Sequence, residues 1–146
     1  MKISFDQPNI TKEAADLLID AAITTAKTIS LSISVCILDS SGRMKAFSSM
    51  DQAPAVSLET CIKKAKTAVG FGIPTGKTWY EFIKNDPILL NGAEHLPDFI
   101  LLGGGSPILQ DGKLIGAIGV SGGHYEQDEK CVTAALEKLK ANQTKS

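Results

Sequence analysis

The sequence predicts an α/β fold of the α+β kind: a five-stranded, mainly antiparallel sheet flanked by helices. Three observations predict it. Short turns at Ser40-Ser41-Gly42 and Asp111-Gly112 each join two apolar runs. Turns this short join antiparallel strands, because parallel pairs need a crossover of roughly a dozen residues. Segments of helical periodicity stand before, between and after these runs, so helices are available to cover the sheet.

The first helix is read over residues 9–28. Thr11 is its N-cap, Glu13 favours its positive end, and Ala14, Leu17, Leu18, Ala21 and Ala22 form its apolar face. Residues 32–39 follow as a strand with β-branched Ile33, Val35 and Ile37. Gly42 supplies the left-handed turn position, and residues 43–49 return as the second strand. A helix is read over 57–69, with Leu58, Cys61, Ile62, Ala65 and Val69 on one side. Gly70 and Gly72 end it, and Pro74 bars its continuation.

Residues 79–84 read as a short helix, and 85–97, with two prolines, as irregular. Residues 99–102 read as the third strand, and 107–110 as the fourth. Asp111-Gly112 then predicts a type I′ hairpin, which needs positive φ at both central positions. The last strand, 114–120, carries Gly116 and Gly119, so another backbone is expected to pack closely against it. A closing helix spans 125–140, with Glu126, Asp128 and Glu129 at its start and Lys138 and Lys140 near its end, as the helix dipole favours. Residues 141–146 read as a polar tail.

The 146 residues, 43% of them hydrophobic, suit a single domain over 1–146 with an ordered core of about 9–140. Net charge is −1 without charge blocks, so the basic stripe of a nucleic-acid binder is missing. The densest basic run, Lys63-Lys64-Ala65-Lys66, reads as a solvated helix face. No apolar run approaches the ~20 residues of a membrane helix, and the start does not read as a signal peptide, so a cytoplasmic location is expected. Cys36, Cys61 and Cys131 form no CxxC pair and read as small buried hydrophobes. The two histidines form neither HxH nor HExxH, so no dedicated metal site is predicted.

The stretch 103–128, GGGSPILQDGKLIGAIGVSGGHYEQD, holds most of the candidate site. Gly103, Gly104, Gly105, Ser121, Gly122 and Gly123 can present backbone N–H groups to an anion, or can serve tight turns and strand packing. His124, at a helix start, is a candidate hydrogen-bond donor or iron ligand, and His95 a weaker one. Glu126 and Asp128 read as helix-dipole capping rather than an acid/base pair. One shared site for Lys64, Lys66, Thr67 and Thr75 is not expected, because the helix period places Lys63 and Thr67 on one face and Lys66 on another. Gly119-Val120-Ser121-Gly122-Gly123 matches G-x-S-x-G literally, but the nucleophile elbow needs a larger fold and a later acid and histidine, so the match is read as chance.

These residues resemble the GlcG/HbpS family of haem-binding and haem-degrading-like proteins, which is related to the C-terminal domain of PduO-type corrinoid adenosyltransferases. The likeness rests on the 103–128 motif with its following helix, on Val35-Cys36-Ile37-Leu38-Asp39 with Ser41-Gly42, and on a central helix containing Ser57, Lys64, Ala65 and Thr67. The resemblance implies a profilin-like sandwich and a homo-oligomer of dimers assembling to a tetramer or octamer. It implies a small-molecule ligand, haem or a related tetrapyrrole or corrinoid, at a subunit interface near Asp51, Gly104, Gly105 and Ser121 to His124. Residues 11–28 hold no histidine, whereas haem-binding relatives use one there as an iron ligand. An accessory factor or enzyme for a small metabolite of glycolate, glycerol or propanediol utilisation is the second expectation. A purely structural oligomer is the third.

Overall fold

The computed structural model describes residues 1–143, so part of the predicted tail lies outside the described residues. Residues 1–11 form an extended lead. Ile10 N–H donates to the Ile115 carbonyl at 2.9 Å, and Asn9 Oδ1 accepts from Ser40 N–H at 2.9 Å. These anchors hold the chain off helical geometry, so α1 begins later than expected and spans Lys12–Thr28. Thr11 caps it, accepting from Ala14 N–H.

β1 (Ser34–Asp39) and β2 (Met44–Ser49) form the first hairpin, with Gly42 at φ +83°. α2 (Ser57–Phe71) ends at Gly72, whose φ of +71° is the left-handed cap position. α3 (Lys77–Ile83), α4 (Pro87–Gly92) and a 3-10 turn (Ala93–His95) follow. β3 (Gly105–Gln110) and β4 (Lys113–Ser121) form the second hairpin, and α5 (Tyr125–Gln143) closes the chain. Asp111 and Gly112 have φ of +50° and +76°, as a type I′ turn requires.

The sheet has four strands, in the order β2-β1-β4-β3, all antiparallel. The fifth strand expected at 99–102 is not one. β4 turns away into α5 just past Ser121, leaving those residues no strand to pair with. They are tied down otherwise. Ile100 N–H donates to Thr67 Oγ1 at 3.0 Å, and the Leu101 carbonyl accepts from Gly76 N–H. The segment 85–97 is also not irregular. Asp86 accepts from Ile88 and Leu89 N–H, Pro87 follows it in the first turn, and together they start α4. Residues 141–143 continue α5 rather than fray.

Strand alternation sorts the core into two layers. Val35, Ile37, Ile118 and Val120 face α1 and α5, burying Leu18, Ile19, Cys131 and Ala135. Cys36, Leu38 and Ala117 face α2 through Cys61, Ala65 and Ala68. The close approach expected at two glycines is present. A Cβ on Gly119 would overlap the Cys61 carbonyl of α2, and one on Gly116 the Leu38 carbonyl of β1. The three cysteines are free and buried. A smaller third cluster gathers Trp79, Ile83 and Ala93 with Ile73, Phe99 and Leu101.

Candidate functional site

Register places the candidate residues at one end of the sheet. Ser49, Ser34 and Ser121 lie in one row across β2, β1 and β4, and Gly105 pairs with Gly119. Asp51, Gly104, Gly105 and Ser121 to His124 therefore share this end, but not one spot. Asp51 lies just past β2 at one edge and the glycine triplet leads into β3 at the other, three strand spacings or about 14 Å away. Asp51 is exposed.

The floor of this end is an ion pair that the lysine run concealed. Lys64 Nζ lies 2.8 Å from Asp128 Oδ2 and 2.9 Å from the Val120 carbonyl, with side-chain exposures of 2% and 1%. Asp128 Oδ1 accepts from Gly123 N–H at 3.1 Å. Lys64 is thus not part of a solvated face, and Asp128 does more than favour a helix dipole. Burial pushes the Asp128 carboxyl above its ordinary value, and the Lys64 ammonium opposes that shift. Gly104, at φ +113°, lies over the pair. A Cβ there would stand 2.7 Å from the Val120 carbonyl and 3.0 Å from Lys64 Nζ. Thr75 Oγ1 accepts from Gly105 N–H at 2.9 Å, so Thr75 holds the loop that lies over the Lys64–Asp128 pair. Lys66 and Thr67 hold a different piece of chain, the one around Asp98.

His124 caps α5. Its carbonyl accepts from Gln127 N–H, its own N–H donates to Gln127 Oε1, and its Nδ1 accepts from Glu126 N–H at 3.2 Å. Its ring lies against that of Tyr125, centroids 4.2 Å apart at 34°.

Beside this cap is an open cleft of about 470 Å³. α3 contributes Lys77 and Tyr80, the 101–103 segment contributes Leu101 and Leu102, and α5 contributes Tyr125 and Glu126, with Glu129 nearest the backbone. A Cβ on Gly76 would stand 2.7 Å from Glu129 Oε1, so that carboxyl lies directly over the glycine backbone. Burial, then the charge of Glu126, raises the Glu129 carboxyl above its ordinary range. A second, smaller hollow of about 250 Å³, with Gly104, Gly105 and Thr75 on its wall, also has Lys77 and Glu129 on its border.

Of the residues marked in the sequence, Gly103 and Glu126 line the larger cleft and Gly104 and Gly105 the smaller. Gly122 packs against the backbone at Ser32 and Ile33, and Ser121 is buried at the end of β4. His95 stands on the exposed 3-10 turn with Nε2 3.8 Å from Glu94 Oε1. Among the described residues no cluster of three or more His, Cys, Asp or Glu side chains is placed to hold a metal ion. Lys77, Tyr80, Leu101, Leu102, Tyr125 and Glu129 were missed as cleft residues. They come from three separate segments and share no motif.

Residues 10–137 match the family described as haem degrading protein HbpS-like. The chain belongs to this HbpS-like family. It is 31% identical to protein GlcG of Escherichia coli K12, over 77% of this chain and 81% of GlcG. It is 32% identical to the corrinoid adenosyltransferase PduO of Salmonella typhimurium over 82% of this chain, which spans only 35% of PduO. Among solved structures it is similar to a PduOC–haem complex, with a TM-score of 0.81 and 30% identity, covering 89% of this chain and 94% of that one.

Proposed function

We propose that this HbpS-like protein binds haem or a related tetrapyrrole in the cleft between α3, the 101–103 segment and α5, as a cytoplasmic homo-oligomer. The observation that carries this reading is the cleft itself. At about 470 Å³ it falls within the range of small-molecule sites, and an apolar wall of Leu101 and Leu102 faces a polar rim. That is what an amphipathic macrocycle needs: apolar surface for its faces and a cation for its carboxylates. Lys77 is the cation on the rim. The likeness to a PduOC–haem complex supports the choice of ligand. Because the cleft is open, one face of a flat ligand stays exposed to water in the monomer. A second copy closing over it, at the expected subunit interface, would remove that exposure. A bound haem would supply iron-centred redox and ligand-exchange chemistry.

In this reading the Lys64–Asp128 pair fixes the distance between α2, β4 and the start of α5, so the Gly103–Gly105 and Gly123–His124 segments arrive pre-positioned. Asp51 belongs to the opposite edge of the sheet, so within one copy it stands apart from this cleft.

The test is titration of the protein with haemin, with iron-free protoporphyrin and with a cobalamin, at several protein concentrations. Saturable haemin binding that strengthens as the protein assembles is the expected result. No saturable binding of any tetrapyrrole sinks the proposal. The Lys77, Glu126 and Glu129 rim favours a second reading, a small carboxylate or aldehyde of diol or glycolate metabolism, and that outcome would send the search there.

A further inference from the structure

The sheet has two edge strands, and they differ. β3 carries Pro107, which has no N–H to offer, and its Gly105 carbonyl already accepts from Thr75 N–H. β2 is open. Met50 N–H donates to the Ile33 carbonyl, and an antiparallel ladder alternates, so Ala46 and Ser48 bond inward to β1. The backbone groups of Phe47 and Ser49 therefore point outward, where the sheet has no further strand. Such a row is a template for another strand. Phe47 pairs with Cys36 and Met44 with Leu38, so both stand on the α2 face. α2 packs on β1, β3 and β4 and leaves these two side chains exposed.

A strand that matches this edge lies in the same sequence. Residues 1–6, Met-Lys-Ile-Ser-Phe-Asp, alternate apolar and polar, the period of a half-buried strand. Ile3 is 86% and Phe5 78% exposed, and among the described residues no hydrogen bond or ion pair holds residues 1–6. Six extended residues span about 20 Å, the length of the six-residue β2. The arm's own β2 is out of reach. Gln7 Nε2 donates to the Leu114 carbonyl on β4, and the slot outside β2 is three strand spacings, about 14 Å, from β4. Asp6 is one residue further on, which is at most about 3.6 Å.

We infer that residues 1–6 add as an antiparallel strand to the β2 edge of a second copy, which returns its own arm in exchange. Charge sets the direction. Antiparallel pairing brings Asp6 beside Arg43 and Lys45 and points Lys2 toward Asp51. Parallel pairing would turn Asp6 toward Asp51 and Lys2 toward Lys45. The antiparallel direction also suits a two-fold pair. The arm leaves the sheet at the turn end, beside Ser40, and β2 begins at that same end. Ile3 then lies opposite Phe47, on the face that α2 leaves open, and bonds its outward N–H and C=O. The contact uses no residue of the cleft, so it does not depend on what the cleft binds.

The experiment is sedimentation velocity over a concentration series, with circular dichroism to show that each variant is folded. The proteins are wild type, the chain without residues 1–6, Phe47→Glu and Ile3→Pro. Removing the arm, or Phe47→Glu, should weaken association at least about 100-fold through lost apolar burial. Ile3→Pro deletes one pairing N–H per arm and should weaken it about tenfold. In a second measurement, Ile3→Cys and Phe47→Cys proteins are mixed and oxidised, the three native cysteines being buried. The mixed disulfide dimer should form faster than either self-linked dimer. Association unchanged by removal of the arm overturns the inference. So does a Phe47→Cys protein that links chiefly to itself, which would mean that β2 pairs with β2. A wild-type protein that is monomeric at every concentration overturns it as well.

Discussion

The two sides of the α2 helix are built on opposite principles. Toward the sheet, α2 touches backbone with backbone: Gly119 leaves no room for a methyl group beneath the Cys61 carbonyl, and Lys64 buries its charge against Asp128. Beyond its C-terminus, the 77–96 segment is a thin cover. α4 buries none of its residues, and Phe82, Ile88, Leu90 and Leu96 are exposed. The first region is closely packed, while the second is anchored by Trp79, Ile83 and Ala93 and leaves most of its other side chains exposed. A cleft bordered by one of each has a closely packed wall and a more exposed one, and local opening is expected from the less buried side.

The largest effect should come from breaking the dense side. Gly119→Val must push α2 off the sheet, and a cost above about 4 kcal/mol is expected, seen as loss of soluble protein or a Tm fall of roughly 10 °C or more. A Tm within a few degrees of wild type would mean that α2 can slide freely. Next is the buried pair. Asp128→Ala strands the Lys64 ammonium and should cost about 3–5 kcal/mol by chemical denaturation. The double variant Lys64→Met, Asp128→Leu should recover most of that loss. A double variant no better than the single one would show that Val120 and Gly123 depend on the charges.

Glu129, at the junction of the two regions, gives a smaller and pH-dependent effect. Its carboxyl is raised by burial and by Glu126, so the folded state holds its proton to higher pH than the unfolded chain. Stability is therefore lost as pH climbs from the ordinary value of 4.5 through the raised one. Glu129→Gln should raise Tm at neutral pH, and the gain should vanish in acid below that ordinary value. A pH-independent gain would assign the effect to packing. Smallest of all, Ile88→Ser on the thin cover should change stability by less than about 0.5 kcal/mol. A larger loss in the assembled protein than in the monomer would show that a second copy seats on α4.

What the sequence made legible was whatever one short segment decides for itself. Thr11, Gly42, Gly72 and Asp111-Gly112 act through their own backbone geometry, and each did what its residue type predicts. Gly116 and Gly119 were readable because glycine inside a strand has few other uses. The Lys64–Asp128 pair was not readable. Its partners are 64 positions apart, and a lysine among lysines looks solvated until the fold brings a carboxylate to it. The run at 99–102 is apolar enough for a strand, but strand status depends on a neighbour, and β4 had already turned away. The start of α4 was available in Asp86-Pro87 and was missed because Pro87 and Pro97 were both read as breakers. Of the cleft only Gly103 and Glu126 were marked in the sequence, because its walls meet only in the folded chain.

The thin cover also contains the chain's one tryptophan. Trp79 is 3% exposed, edge-on to Phe71, Phe82 and Phe99 at 4.9, 5.6 and 5.2 Å, and its buried indole N–H has no acceptor among the described residues. A buried donor left unpaired costs about 1–3 kcal/mol, so this N–H gains a partner whenever water enters the pocket of rings. The molecule therefore carries its own optical gauge. The emission of a single indole, next in sequence to the cleft residue Tyr80, should move to longer wavelength whenever water reaches that N–H, and it reads the state of that wall without any label.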